Sequence, residues 1–212
     1  MIGIGLSTTP NRKIINQTYK DWLKYQPANS QLEVLSDDNF DGVAVTKNRL
    51  LAMLDKNEHI FLIDDDVLPL TKDWWKPYIE SGEKHLIFNF KLPNKPRTDM
   101  QEVYRDDKIT AWTHTRGCFL YIHRSVLDVV GGFDERYIFD FYHPDFSNRV
   151  YNAGLTKFRS MDVPDSDKLL YCYDQDASIM SSVDDKTRRL NRSKDYARYK
   201  AQRQSKEYMR YK

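Results

Sequence analysis

The chain has 212 residues, of which 40% are hydrophobic and 13% aromatic, and its mean hydropathy is −0.73. This length suits one domain with a substantial core, and the composition excludes a disordered chain and an integral membrane protein. The net charge of +2 is unevenly spread, because residues 183–212 carry 11 Lys/Arg against 4 Asp/Glu and so leave residues 1–182 at −5. We therefore predict an acidic folded domain over 1–182 and a basic, tyrosine-containing tail over 183–212.

The N-terminus and the cysteines indicate the compartment. Met1 is followed by neither a basic n-region nor a long apolar stretch, so the sequence predicts no signal peptide and no transmembrane segment. Cys118 and Cys172 have no CxxC spacing, and two reduced thiols are expected in place of a zinc site or a disulfide framework. These features predict a cytoplasmic protein, in the host cytoplasm if a phage encodes it.

Strands and helices alternate along the first part of the chain. The predicted elements are a strand over 2–6, a helix through Trp22 and Leu23, a strand over 32–35, a helix over 45–54 and a buried parallel strand over 59–63. This order predicts an open α/β sheet, in which ligands collect beyond the carboxyl ends of the strands.

The second part of the chain is less regular. The predicted elements are a helix over 72–81, a strand over 86–90, a surface loop over 93–107, a strand over 117–122, a helix over 125–130 and a helix over 144–152 that ends at Gly154. The tail over 183–212 is predicted to be helical.

Three consecutive aspartates, Asp64, Asp65 and Asp66, follow the predicted strand over 59–63. Like charges this close raise one another's pKa unless a cation lies among them. Mg²⁺ or Mn²⁺, held by one or two carboxylates and by phosphate oxygens, suits a nucleotide diphosphate leaving group. Because side chains alternate along a strand, Asp64 and Asp66 share a face and are the predicted metal ligands. An acidic surface turn is the alternative interpretation.

Three segments together resemble the GT-A glycosyltransferases, especially the family-2-like group: residues 4–12 (IGLSTTPNR), 60–66 (IFLIDDD) and 131–135 (GGFDE). The resemblance covers about residues 1–160. It implies a GT-A fold, with a mostly parallel central sheet flanked by helices, a nucleotide-sugar donor with UDP-sugars as the leading class, and Mn²⁺ or Mg²⁺. The donor-binding residues that it implies are Thr8, Pro10, Arg12, Asp37 or Asp38, Lys47 and Asp65.

The resemblance also implies an acceptor side and an inverting reaction. Its general base maps onto Asp145, for which a plain helix-capping role is the alternative. The third metal ligand is left open between His143, Asp174, Asp176 and water. The candidate acceptor-binding residues are Trp75, Asp134, Glu135 and His143.

The basic tail leaves the acceptor open. It could be a solvated helix that packs a few tyrosines on the body, a segment that binds phosphate backbones, or one that attaches to an anionic membrane surface. One hypothesis is that the acceptor is DNA with a hydroxylated base, an activity that would resemble that of the phage enzymes that glycosylate their own genomes. Glycan or lipid-linked acceptors are the alternative. A metal-dependent nuclease, a phosphotransferase or a nucleic-acid-binding module is the hypothesis of a different class.

Overall fold

The computed structural model describes residues 1–10, 12, 15–89, 100–114, 116–173 and 185–203, with the backbone alone for residues 185–188. The strands are β1 (Ile2–Thr8), β2 (Ser30–Ser36), β3 (His59–Asp64), β4 (Val67–Pro69), β5 (His85–Ile87), β6 (Glu102–Arg105), β7 (Thr110–Trp112), β8 (Phe119–His123), β9 (Met161–Asp162) and β10 (Leu170–Cys172). The helices are α1 (Ile15–Tyr25), α2 (Val43–Met53), α3 (Lys76–Glu80), α4 (Ser125–Val130), α5 (Tyr142–Asn152) and α6 (Asp185–Gln202).

The central sheet has five strands in the order β2-β1-β3-β8-β5. β1 pairs parallel with both β2 and β3, whereas β8 runs antiparallel to β3 and to β5. β8 is therefore the one reversed strand, and the predicted α/β class with a mostly parallel sheet is confirmed. The carboxyl ends of β1, β2 and β3 lie at one edge of this sheet.

Both faces of the central sheet are buried under helices. Alternating side chains of β1, β3 and β8 enter one apolar cluster with Trp22 of α1 and Tyr78 of α3. The intervening side chains of β3 and β8 enter a second cluster with Leu50 of α2 and Phe146 of α5. Each large side chain buried in this way contributes about 1.5–3 kcal/mol, and the two clusters fix the strand ends that carry the polar residues.

Two predictions about the middle of the chain are wrong in part. The helix expected over 72–81 covers only Lys76–Glu80, with Pro77 in its first turn, where the missing amide donor has no cost. Part of the loop expected over 93–107 is the strand β6, which pairs with β7 although all four of its residues are exposed. An exposed strand lacks the alternation of apolar and polar residues by which a strand is predicted from sequence. Residues 90–99 lie outside the described residues.

The basic tail is described only over 185–203, where α6 packs against the body. The Asp195 side chain is 1% exposed and accepts hydrogen bonds from the amides of Phe139 and Asp140. The Tyr199 hydroxyl accepts a 2.7 Å hydrogen bond from Asn148 of α5. Across the described residues, no helix is both long enough and apolar enough to span a membrane.

Candidate active site

The aspartate triad lies at the carboxyl edge of the central sheet. β3 ends at Asp64, and Asp65 and Asp66 form the turn into β4. The Asp64 amide donates to the carbonyl of Cys118 at 2.8 Å, and the amide of Tyr173 donates to the Asp66 carbonyl at 2.8 Å. Backbone contacts from both sides therefore fix the turn that carries the three carboxylates.

Asp64 faces α2 and meets a buried lysine. Its Oδ1 atom lies 2.7 Å from Lys47 Nζ and accepts a 3.0 Å hydrogen bond from the Ser7 hydroxyl. The Lys47 side chain is fully buried, whereas the Asp64 side chain is 32% exposed. The carboxylate at the end of β3 is thus paired with a cation on its protein side and open to solvent on the other.

Asp65, the first residue of the turn after β3, has partners different from those of Asp64. Arg12 binds it with two hydrogen bonds, from Nε to Oδ2 at 3.1 Å and from Nη2 to Oδ1 at 2.8 Å, and the Thr8 hydroxyl donates to Oδ2 at 2.6 Å. The Thr18 hydroxyl donates to the Asp65 carbonyl at 2.7 Å. Thr8, Arg12 and Asp65, all predicted to bind the donor, therefore bind one another and tie the loop after β1 to the triad.

A divalent cation would find two carboxylates here, those of Asp64 and Asp66. No group of three His, Cys, Asp or Glu residues within the described ranges has the arrangement of a complete metal site, and Asp174 and Asp176 lie outside those ranges. Mg²⁺ and Mn²⁺ nevertheless need only one or two carboxylates when substrate phosphates and water complete the shell. The residues present fit a cation shared with a diphosphate rather than one held by the protein alone.

The loop before α2 sets the position of Lys47. Asp37 is 6% exposed, and its two carboxylate oxygens accept the amides of Asp41 and Gly42 at 2.8 Å each. Asp37 therefore holds this loop, and of the two alternatives for donor binding the exposed one is Asp38.

Asn48, the residue after Lys47, joins α2 to the GGFDE turn. Its Oδ1 atom accepts the amide of Phe133 at 2.8 Å, and its Nδ2 atom donates to the Phe133 carbonyl and to the Glu135 carboxylate, both at 2.9 Å. A Cβ atom on Gly132 would lie 2.6 Å from Asn48 Oδ1, so this contact needs a glycine. Gly132 thus serves packing against α2, whereas Gly131 ends α4 at φ 73°.

Asp134 of the same turn is not open to an acceptor. It is 1% exposed, and the guanidinium of Arg136 binds both of its oxygens, with the shortest contact at 2.6 Å. Gln202 of α6 donates to it at 2.9 Å. This burial favours a structural role for Asp134, whereas Glu135 is exposed. Acceptor binding by these two residues stays a prediction.

The start of α5 brings two side chains toward the triad. Phe141 precedes the helix in the left-handed conformation, at φ 65°. The buried Tyr142 donates to the Gly117 carbonyl at 2.8 Å, and its ring centre lies 5.7 Å from Lys47 Nζ. His143 is half-buried and packs so closely on Gly117 that a Cβ atom there would lie 2.3 Å from its Nδ1 atom.

Asp145, the predicted general base, lies inside the core. Its side chain is fully buried, and Arg149 Nε binds it at 2.9 Å. Arg149 also donates to the carbonyls of Val130 and Gly132, at 2.6 Å and 2.8 Å. Burial raises the pKa of Asp145 to about 6, against the opposing effect of Arg149. In this conformation the Asp145 carboxylate is closed off from solvent, which favours a structural role, and its role as general base stays a prediction.

Trp75 and Pro10, the two remaining residues predicted to bind substrate, lie outside the network of hydrogen bonds around Asp64 and Asp65. Trp75 packs against the apolar cluster of α1 and α3, with Lys76 Nζ 5.9 Å from its ring centre, and it takes no part in the hydrogen bonds described above. Pro10 is half-buried in the loop after β1.

Among the residues described above that the predicted set leaves out are Ser7, Asn48, Gly117 and Tyr142. Ser7 falls within the motif segment 4–12, and Asn48 directly follows the predicted donor ligand Lys47. The contact between Tyr142 and Gly117 depends on the packing of α5 beside the start of β8, which no local sequence pattern indicates.

No protein-family model and no curated protein matches the sequence. Among solved structures, a mutant of Drosophila β1,4-galactosyltransferase 7 in complex with manganese, UDP-Gal and xylobiose aligns over 91% of this chain and 80% of its own, at 14% identity and a TM-score of 0.49. S. aureus TarS aligns over 72% of this chain and 33% of its own, at 15% identity and a TM-score of 0.49. A glycosyltransferase involved in the glycosylation of the major capsid of PBCV-1 aligns over 59% of this chain and 61% of its own, at 10% identity and a TM-score of 0.39.

Proposed function

We propose that the chain is a metal-dependent GT-A glycosyltransferase that moves a sugar from a nucleotide-diphosphate donor, a UDP-sugar in the first instance, to a hydroxyl acceptor. The observation that carries the proposal is the ion pair between Asp64 and the buried Lys47 at the carboxyl edge of the sheet, with Asp66 two residues further in the turn after β3. This edge is where open α/β sheets bind ligands. A site with carboxylates for a cation and an ammonium for an anion suits a metal–diphosphate complex.

On the donor side of the proposed site, different residues would bind the cation and the diphosphate. Asp64 and Asp66 would hold the divalent cation, which when bound neutralises the charge of the departing diphosphate. Lys47 would meet a diphosphate oxygen from the protein side. Asp38, exposed at the end of β2, is the carboxylate available to the ribose.

On the acceptor side we propose His143 as the general base in place of Asp145. His143 is half-buried in the first turn of α5 and packs on Gly117, next to the carbonyl of Cys118 that binds the Asp64 amide. It would take the proton of the acceptor hydroxyl while the acceptor oxygen attacks the anomeric carbon. The bond to the diphosphate would then break, with its electron pair leaving on the diphosphate, and the configuration would invert.

Thermal stabilisation tests the donor assignment. Wild type and Asp66→Asn would be compared over a panel of UDP- and GDP-sugars with and without Mn²⁺. Asp73→Asn is the control, because Asp73 is 68% exposed and pairs with the surface residue Lys76. A ligand at 100 times its Kd stabilises by about 2.7 kcal/mol. We expect one donor class to stabilise wild type and the control in a Mn²⁺-dependent way, and Asp66→Asn to lose the effect.

Absence of a shift with every nucleotide sugar would overturn the proposal in favour of a nuclease or a nucleic-acid-binding module. Once a donor is known, His143→Asn is expected to abolish transfer and to keep the donor-induced shift. His143→Asp should restore part of the transfer rate, since a carboxylate can also accept the proton. Full transfer by His143→Asn would exclude His143 as the base.

DNA with a hydroxylated base is the acceptor that the charge of α6 favours. The helix docks on the body through Asp195 and Tyr199, whereas Arg189, Lys194 and Lys200 are exposed. Exposed cations on one helix attract a phosphate backbone. The test is transfer to hydroxymethylated DNA by wild type and by the triple variant Arg189→Glu, Lys194→Glu, Lys200→Glu. We expect the variant to lose transfer to DNA and to keep the donor-induced shift, whereas equal transfer by both would favour glycan or lipid-linked acceptors.

A further inference from the structure

The Lys47 side chain is a charged group of the candidate site that is fully buried. Its Nζ atom lies 2.7 Å from Asp64 Oδ1 and 3.4 Å from the Ser7 hydroxyl oxygen. The aromatic face of Tyr142 lies 5.7 Å away. Of the described carboxylates, that of Asp64 alone makes an ion pair with Lys47.

A buried ammonium needs a compensating anion. Removing one partner of a buried ion pair leaves an uncompensated charge, which is strongly unfavourable. Asp64 is therefore required by Lys47 as long as no other anion is present. The Ser7 hydroxyl and the Tyr142 ring are weaker partners, because neither carries a negative charge.

A cation that binds Asp64 competes with this ion pair. If a divalent cation bound Asp64 in the protein without donor, Asp64 would be shared between the cation and Lys47. The cation and the ammonium together would then place three positive charges beside the carboxylates of Asp64 and Asp66. A nucleoside diphosphate that enters with the cation changes this balance, since its phosphate oxygens give the ammonium a new anionic partner. The competition then disappears.

We propose, on the basis of the function proposed above, that Lys47 acts as an internal counter-ion that withholds Asp64 from divalent cations until a diphosphate arrives. In the donor-free protein the ammonium keeps the affinity for a cation low. In the loaded protein it pairs with the diphosphate, and Asp64 is released to the cation. Lys47 thereby makes the entry of the metal depend on the entry of the nucleotide.

The energetic signature is a coupling between two sites, which is typically 5- to 150-fold in affinity. Direct contact between a cation and a diphosphate also produces coupling, so coupling in wild type alone does not identify Lys47. The diagnostic quantity is the affinity for Mn²⁺ in the absence of nucleotide. If Lys47 withholds Asp64, removal of its charge must increase this affinity.

The experiment measures Mn²⁺ binding by electron paramagnetic resonance of the free ion, without nucleotide and with saturating UDP. The variants are Lys47→Met and Lys47→Gln, of which the second keeps a hydrogen-bond donor should the first fail to fold. Lys76→Met is the matched control, because it removes a lysine that pairs with Asp73 at 2.9 Å while 45% exposed. Addition of Asp64→Asn to either Lys47 variant tests whether any gain passes through Asp64.

We expect nucleotide-free Mn²⁺ to bind the Lys47 variants about 5-fold or more tightly than wild type, the control to match wild type, and Asp64→Asn to cancel the gain. The Lys47 variants should also bind UDP more weakly. Unchanged or weaker Mn²⁺ binding in both Lys47 variants, with UDP and Mn²⁺ still bound by wild type, would overturn this inference and leave the proposed function intact. Tighter Mn²⁺ binding without binding of any nucleotide sugar would support the ion-pair competition and overturn the proposed function.

Discussion

Replacement of Arg149 by methionine gives the sharpest test of the interpretation that Asp145 is a structural residue. Methionine keeps an unbranched apolar stem but removes the guanidinium that Asp145 faces at 2.9 Å in a fully buried environment. Breaking a buried ion pair costs about 3–5 kcal/mol. The carbonyls of Val130 and Gly132 each lose a donor as well, at about 1 kcal/mol apiece. The expected total is roughly 5–7 kcal/mol, which is comparable to the whole stability of a marginal domain.

The assay is urea unfolding followed by tryptophan fluorescence, with Arg105→Met as control. Arg105 also pairs with a carboxylate, Asp165, at 2.7 Å, but on an exposed surface, so we expect its loss to leave the midpoint unchanged. The deficit of Arg149→Met should shrink as the pH falls from 7 to 5. Burial already raises the pKa of Asp145 to about 6, and without Arg149 the carboxyl takes up a proton more readily. If the midpoints of Arg149→Met and Arg105→Met are equal at pH 7, the assignment of a buried structural pair is wrong.

Three further predictions follow from single contacts. Burial raises the pKa of Asp162 to about 7, so the folded state keeps a proton that the unfolded state has released. This contribution to stability is complete below pH 4 and is lost as the pH rises to 7. The stability deficit of Asp162→Asn in urea unfolding should therefore be largest near pH 4 and narrow toward pH 7, and a constant deficit would contradict the assignment. Gly117→Ala places a methyl group within 2.3 Å of the His143 ring, and we expect a folded protein, by circular dichroism, whose donor-dependent transfer is lost; full transfer would show that the position of His143 is unimportant. Tyr199→Phe removes the 2.7 Å hydrogen bond from Asn148 and should lower the free energy of unfolding by about 1 kcal/mol, whereas an unchanged free energy would mean that α6 is not docked through this contact in solution.

The sequence predicted the central sheet because its signals are local. The run over 59–63 is apolar and short, and the abrupt change to aspartates marks where the strand ends. The structure agrees, with β3 ending at Asp64. The position of the triad at the shared carboxyl edge then follows from the parallel pairing of β1 with β2 and β3.

The contacts inside the site were less predictable, since they join residues far apart in the chain. Nothing local indicates that Lys47 is fully buried or that Arg12 turns toward Asp65 and not toward solvent. The case of Asp145 is different, because its spacing of four from Arg149 on a helix is a recognised ion-pair signal. That spacing favoured a pair over a base, but only the packing of α5 against α4 shows that the pair is buried.

The packing of α6 also affects how the acceptor can be identified. Asp195 accepts the amides of Phe139 and Asp140, and the segment that these residues belong to leads through Phe141 into the first turn of α5, where Tyr142 and His143 lie. Deletion of residues 183–212 would therefore leave these amides without their acceptor and loosen the start of α5. Such a deletion would therefore be expected to abolish sugar transfer whatever the natural acceptor is, so the loss would not identify DNA as that acceptor. Charge reversal at the exposed residues Arg189, Lys194 and Lys200 leaves the docked face of α6 intact, so it separates attraction to a phosphate backbone from support of the site.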